Sequence, residues 1–241
     1  MTSHEEAVRI LRAYGDPACY ESVVQTIVRG IAGEVYADED GVAVLNRPGK
    51  VWMVAAKSEE GMERVLARLA HDGTDVSLHG EMSEEFVERM RERFGFKYTM
   101  HFCQYAYYGA IPEPEPGVDV RPLGLDALDF IYENYGHASR EYIRERLEAG
   151  VMLGAYLDGE LAAFIGEHSE GSMGLLHVMP EHRRMHLGFA LERAAIRRTM
   201  LLGHTVFDQV FDDNAASQAL QARLGMTRSK GCVRWLSNEA L

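Results

Sequence analysis

Only three cysteines occur in 241 residues, Cys19, Cys103 and Cys232, and no two of them stand in a C-x-x-C or C-x-x-C-H spacing. Neither a cysteine zinc site nor a dithiol redox motif is therefore written in the chain. Widely spaced, unpaired thiols point to a reducing, cytoplasmic setting. Basic charge is scarce as well: 25 Lys and Arg face 37 Asp and Glu, a net −12. A general nucleic-acid binder runs on clustered cations that displace counterions from phosphates, so that class is excluded. No run of about 18 apolar residues is present, and the opening Met1-Thr-Ser-His4 lacks a basic segment followed by an apolar one. Neither a membrane span nor a secretory leader is expected. Nucleotide-type glycine motifs, G-x-G-x-x-G and G-K-[ST], are also missing.

What remains, 46% hydrophobic and 26% charged residues, is the composition of a globular protein able to bury a sizeable core. Three of the seven prolines fall in Pro112-Glu-Pro114-Glu-Pro116-Gly117, a stiff extended linker. It divides the chain into a domain at 1–112, a linker at 113–117 and a domain at 118–241. Charge does not separate the two, with 12 basic against 18 acidic side chains in residues 1–112 and 13 against 19 in residues 113–241.

Periodicity in the first part predicts helices at 5–14, 21–31, 60–70 and 83–94, the last capped by Ser83, and strands at 41–45, 51–55, 75–78 and 98–108. The second part reads as a strand at 118–121, helices at 125–134 and 139–148, and strands at 151–156, 161–166 and 173–179. A helix at 187–202, a strand at 205–211, a helix at 215–224 and a strand at 231–236 complete it. Asp158-Gly159 marks a hairpin turn. This order predicts a three-layer α/β fold, a mixed central sheet with helices on both faces. Met90–Phe96 and Leu220–Met226 echo one another, each a helix closing on glycine before a strand.

The most informative stretch runs Gly174-Leu-Leu-His177-Val178-Met-Pro180-Glu-His182-Arg183-Arg184-Met-His186-Leu-Gly188-Phe-Ala190. A buried strand passes through a basic turn into a helix, whose first amides suit a diphosphate. Arg183 and Arg184 add cations, and Gly188 permits close backbone approach. The same stretch also reads as an ordinary strand-to-helix connection with a solvated arginine pair. His182 and His186 have helical spacing, but arginines lie between them and His182 precedes the helix, so a metal site is not expected.

This stretch resembles the signature of the GNAT superfamily of acyl-CoA N-acyltransferases, Arg/Gln-x-x-Gly-x-Gly/Ala after a strand ending Val-x-Pro. Here it stands as Arg183-x-x-His186-x-Gly188 after Val178 and Pro180. The resemblance spans roughly residues 118–241 and includes Asn214-Ala-Ala-Ser217 and Leu224-Gly225-Met226. The first part looks like a smaller, degenerate α/β GNAT-like half, as in the glycine N-acyltransferase-like branch. Two positions depart from the pattern: His186 replaces the first loop glycine, and Gln221 stands where many members carry a proton-donating tyrosine.

The resemblance implies transfer of an acyl group, most simply acetyl, from acyl-CoA to an amine of a small molecule or peptide, without a metal. It assigns the coenzyme to Leu176, His177, Val178, Arg183, Arg184, Met185, His186, Leu187, Gly188, Phe189, Ala190, Asn214 and Ser217. A backbone amide between Leu176 and Val178 would hold the thioester oxygen. For the base, the loop Glu167-His168-Ser-Glu170 offers His168 or Glu170, with Glu167 on the opposite strand face from His168. A non-catalytic acyl-CoA-binding module is the alternative, because Gln221 cannot act as an acid.

Overall fold

The computed structural model describes residues 3–69 and 72–239, so Ala70, the expected end of the 60–70 helix, lies outside the described residues. The chain opens with α1 (Ser3–Arg12) and α2 (Pro17–Val28), followed by β1 (Ala32–Ala37), β2 (Val42–Asn46) and β3 (Val51–Ala55). Next come α3 (Glu59–Leu66), β4 (Asp75–Gly80), α4 (Glu84–Phe94) and β5 (Tyr98–Tyr107). Then follow β6 (Asp119–Pro122), α5 (Leu128–Tyr135), α6 (Arg140–Glu148), β7 (Leu153–Leu157), β8 (Glu160–Glu167) and β9 (Met173–Val178). The chain ends with α7 (Leu187–Leu201), β10 (Val206–Phe211), α8 (Ala215–Leu224), β11 (Thr227–Arg228) and β12 (Cys232–Ser237). No helix among the described residues is long and apolar enough to cross a membrane.

Packing gathers these elements into two compact units: residues 1–106 with 207–222 and 226–241, and residues 107–206 with 223–225. In the first, the strand order is β1-β2-β3-β4-β12-β5-β10, with β11 also on β5. The β3/β4 pair is parallel, while β12 runs antiparallel to both β4 and β5. All five residues of β3 are buried, as expected of a central strand covered on both faces. Trp52 and Val54 pack against Met62, Val65, Phe86 and Met90 of α3 and α4. Val51, Met53 and Ala55 pack against Leu11, Val23 and Val24 of α1 and α2. Alternate strand residues thus serve opposite cores, which makes three layers.

The second unit is an antiparallel sheet ordered β6-β7-β8-β9. Asp158 (φ 50°) and Gly159 (φ 90°) form the two-residue turn between Leu157 and Glu160, the left-handed pair that Asp-Gly supplies cheaply. Helices α5 and α6 bury Ile131, Ile143 and Leu147 against Phe164 and Leu175 on one face. Helix α7 packs on β7, β8 and β9 from the other, where Glu167, two residues along from Ile165, meets Arg198 and Thr199.

Three local differences from the sequence expectations have physical reasons. Helix α2 starts at Pro17, whose missing N–H costs nothing in a first turn, and stops before Gly30, which adopts φ +70°. Strand β1 has no counterpart in the sequence pattern: it holds Gly33 and Glu34, borders the sheet and has an irregular register with β2. The two-residue β11 is too short to carry a pattern. The echoed helix ends share one cap, Gly95 at φ +75° with Phe96 N–H to Arg91 O, and Gly225 at φ +77° with Met226 N–H to Gln221 O.

Candidate active site

The strand entering the basic turn is irregular where it matters. On β8 only Ile165 separates Phe164 from Gly166, while their partners on β9, His177 and Gly174, enclose both Leu175 and Leu176. The surplus residue makes a β-bulge, and Leu175 adopts φ +54°, a left-handed backbone that a leucine reaches only at a cost. Its side chain is only 2% exposed, so the core holds the strained turn in place. Leu176, His177 and Val178 follow, half-buried. The bulge re-aims their amides relative to a regular ladder.

After Val178 the chain makes a short 3-10 turn at Pro180–His182 and then an exposed run from Arg183 to His186. Arg184 (φ +64°) and His186 (φ +62°) are both left-handed, and His186 is the N-cap of α7. Glycine would fill this position without strain, and histidine is among the residues that tolerate it. The first intrahelical bond runs from Ala190 N–H to His186 O at 3.0 Å. The amides of Leu187, Gly188 and Phe189 therefore have no acceptor within the helix. Leu187 and Ala190 turn their side chains into the core, leaving only backbone to offer, whereas Arg183, Arg184 and Met185 are exposed. Open amides, two exposed guanidiniums and the positive end of a 15-residue helix fit a diphosphate. Arg183 also donates to Val178 O at 3.3 Å, and Arg223 lies 3.0 Å from His186 Nδ1.

The loop after β8 separates the three candidate bases. Glu167 is 7% exposed and accepts from Arg198 at 2.8 Å, with Thr199 Oγ1 at 3.5 Å, which commits it to the α7 face. His168 lies on the other face, its Nδ1 2.9 Å from Tyr142 Oη. That hydroxyl also accepts from Ser169 N–H at 3.1 Å. Burial first, and then the nearby Glu170 carboxylate, push the Tyr142 phenol above its ordinary range. The Arg146 guanidinium stands 5.4 Å over the same ring. Glu170, 8% exposed, accepts a short hydrogen bond from Ser172 Oγ. His168, Glu170 and Tyr142 thus come together, while Glu167 does not. The sequence does not point to Tyr142, because one tyrosine on a charged helix carries no signal there.

His177 stacks on Phe164 with ring centroids 5.5 Å apart. Burial, then the Arg183 and His137 charges, push its imidazole below the ordinary range and keep it neutral at pH 7. In the first unit, Asn214 Oδ1 accepts from Ser217 N–H at 3.1 Å, capping α8. Gln221, 1% exposed, donates to Asp208 Oδ2 at 2.7 Å. Among the described residues no three His, Cys, Asp or Glu side chains converge as metal ligands.

Residues 150–235 match the family described as FR47-like protein. Solved structures share the fold over nearly the whole chain. A GCN5-related N-acetyltransferase from Kribbella flavida aligns with TM-score 0.56 and 14% identity, covering 97% of this chain and 96% of its own. An acetyltransferase from the GNAT family of Colwellia psychrerythraea gives 0.51 and 15%, covering 85% and 83%. A tandem GNAT protein from the clavulanic acid biosynthesis pathway gives 0.50 and 15%, covering 99% and 95%. No curated protein matches the chain. The mixed α/β fold matches that of these solved acetyltransferases, and the FR47-like pattern lies over the segment that holds the candidate site.

Proposed function

We propose that the protein is an N-acyltransferase that binds acyl-CoA, most simply acetyl-CoA, at the β9–α7 segment and passes the acyl group to an amine of a small molecule or peptide. The observation that carries the reading is the bulge at Leu175 leading directly into the loop that opens α7. The amine nitrogen bonds to the thioester carbonyl carbon and the carbon–sulfur bond breaks; an amine that enters as its ammonium gives up two protons, the first to the base before attack and the second to the departing thiolate. Backbone N–H groups of Leu176 to Val178 are the donors for the carbonyl oxygen as it gains charge. The Leu187, Gly188 and Phe189 amides with Arg183 and Arg184 take the diphosphate, and Met185, His186 and Ala190 shape the loop around it.

For the proton, His168 is the base when its Nδ1–H donates to Tyr142 Oη, which leaves Nε2 basic. Glu170 beside it keeps the local potential negative and favours a cationic amine. Residues 1–112 are read as a second, degenerate copy of the fold, as the tandem relative suggests, with 118–241 as the acyltransferase domain. A cytoplasmic location fits three unpaired thiols.

Thiol release from acetyl-CoA with an amine panel tests the reading. Turnover should fall about 100-fold or more in His168→Ala. Tight coenzyme binding with no turnover on any amine would instead support a non-catalytic acyl-CoA-binding module, a reading favoured by the tying of Gln221 to Asp208.

A further inference from the structure

Within the second unit, beside the loop that opens α7, lies a cavity of about 90 Å³. Its lining includes Phe189 and Arg193 of α7, Arg223 and Leu224 at the end of α8, and Tyr107 and Pro112 before the linker. The space equals a few water-sized volumes, room for one phosphate group. Among the described residues the charged side chains lining it are two arginines, and both stand over one ring: Arg223 is 4.2 Å and Arg193 5.6 Å from the Phe189 centroid.

The two cations differ in how they are held. Arg193 donates to Glu113 O at 3.1 and 2.6 Å and has the Glu115 carboxylate at 3.6 Å, so the linker fixes its place and offsets its charge. Arg223 donates to His186 Nδ1 at 3.0 Å, and among the described residues none of its partners is a carboxylate. Its donation leaves the proton of a neutral His186 on Nε2, a further outward donor. A stacked guanidinium without a carboxylate partner, placed at a small cavity with a second cation, is a site for an anion of phosphate size.

We infer that this cavity is a subsite for a phosphate monoester and, resting on the acyl-CoA reading above, that it takes the 3′-phosphate of the cosubstrate. Arg223 is its principal ligand, and His186 is the link to the diphosphate loop. The departure of His186 from glycine then has a task. The residue that caps α7 at φ +62° also positions the arginine that reads the second phosphate, one ribose away from the first.

Calorimetric titration of the full chain with CoA, dephospho-CoA and inorganic phosphate tests this in wild type, Arg223→Gln and His186→Gly. One charge-assisted contact corresponds to about tenfold or more. Wild type should bind CoA at least about tenfold more tightly than dephospho-CoA. Arg223→Gln should bring the two within about twofold by weakening CoA alone. His186→Gly, which suits the left-handed backbone, should narrow the ratio in the same sense and covers the case in which the first variant fails to fold. Equal affinities in wild type, or a parallel loss of both ligands in Arg223→Gln, would overturn the subsite while leaving the acyl-CoA reading intact. Binding of neither coenzyme would remove both. Inorganic phosphate binding that depends on Arg223, in a protein indifferent to CoA, would assign the cavity to free phosphate and overturn the cosubstrate assignment.

Discussion

Gly174→Ala places a methyl group against the candidate base. A Cβ at Gly174 would lie 2.5 Å from both Cδ2 and Nε2 of His168. Contacts of this kind relax only near about 3.5–4.0 Å, so the imidazole must retreat by about 1 Å. The Cδ2–Nε2 edge lies opposite Nδ1, which is held 2.9 Å from Tyr142 Oη, so the ring has no straight retreat and must turn aside, giving up that hydrogen bond at a cost of about 1 kcal/mol. Gly174 has no left-handed backbone, so alanine in the strand recovers about 0.5–1 kcal/mol by itself. The net change in wild type should therefore lie between about zero and 0.5 kcal/mol of destabilisation. With His168→Ala already in place, the same substitution should stabilise. Urea unfolding of the four variants should give a coupling of about 1 kcal/mol, and turnover of Gly174→Ala should fall about 100-fold through misplacement alone. Additivity within about 0.3 kcal/mol would refute the contact and with it the placement of His168.

Arg198→Ala leaves the 7% exposed Glu167 carboxylate without its guanidinium and should cost about 3 kcal/mol in urea unfolding, much of it recovered by adding Glu167→Gln. His79, fully buried between Ser22 and Ser77, has its imidazole pushed down to about 4 by desolvation. Its folded form is neutral while the unfolded chain binds a proton below the ordinary value of 6.5. Stability is therefore fully present above that value and is lost as pH falls from 6.5 toward 4. His79→Gln should show a shallower decline than wild type across that window in unfolding experiments run in parallel, and identical slopes would exclude this origin.

Much of this architecture is legible in the sequence because local chemistry sets it. Ser83 accepts from Phe86 N–H, Asp158-Gly159 turns a hairpin, and the Arg183–Gly188 pattern falls where the strand meets α7. Non-local pairing is not legible: β12, last in the chain, inserts between β4 and β5, and no local pattern encodes a partner more than a hundred residues away. The bulge escapes for a different reason, since a leucine at φ +54° has no signature and is held there by the core around it. Tyr142 escapes because its partner, His168, lies 26 residues on and meets it only when α6 packs on the sheet. The separation of Glu167 from His168 is legible, because neighbouring strand residues face opposite sides.

The central claim, an acyl-CoA bound at the β9–α7 loop, is tested most directly by thermal melting of the full chain with acetyl-CoA, longer acyl-CoAs, free CoA and ATP. A ligand at about 100 times its Kd adds about 2.7 kcal/mol to the folded state, a rise of several degrees in a protein of this size. The account predicts that rise with the coenzyme A ligands and not with ATP, and its loss in Arg183→Ala/Gly188→Asp, which removes a cation and puts a carboxylate at the α7 amides. An unchanged melting temperature with every coenzyme A ligand, in protein that melts cooperatively, would contradict it.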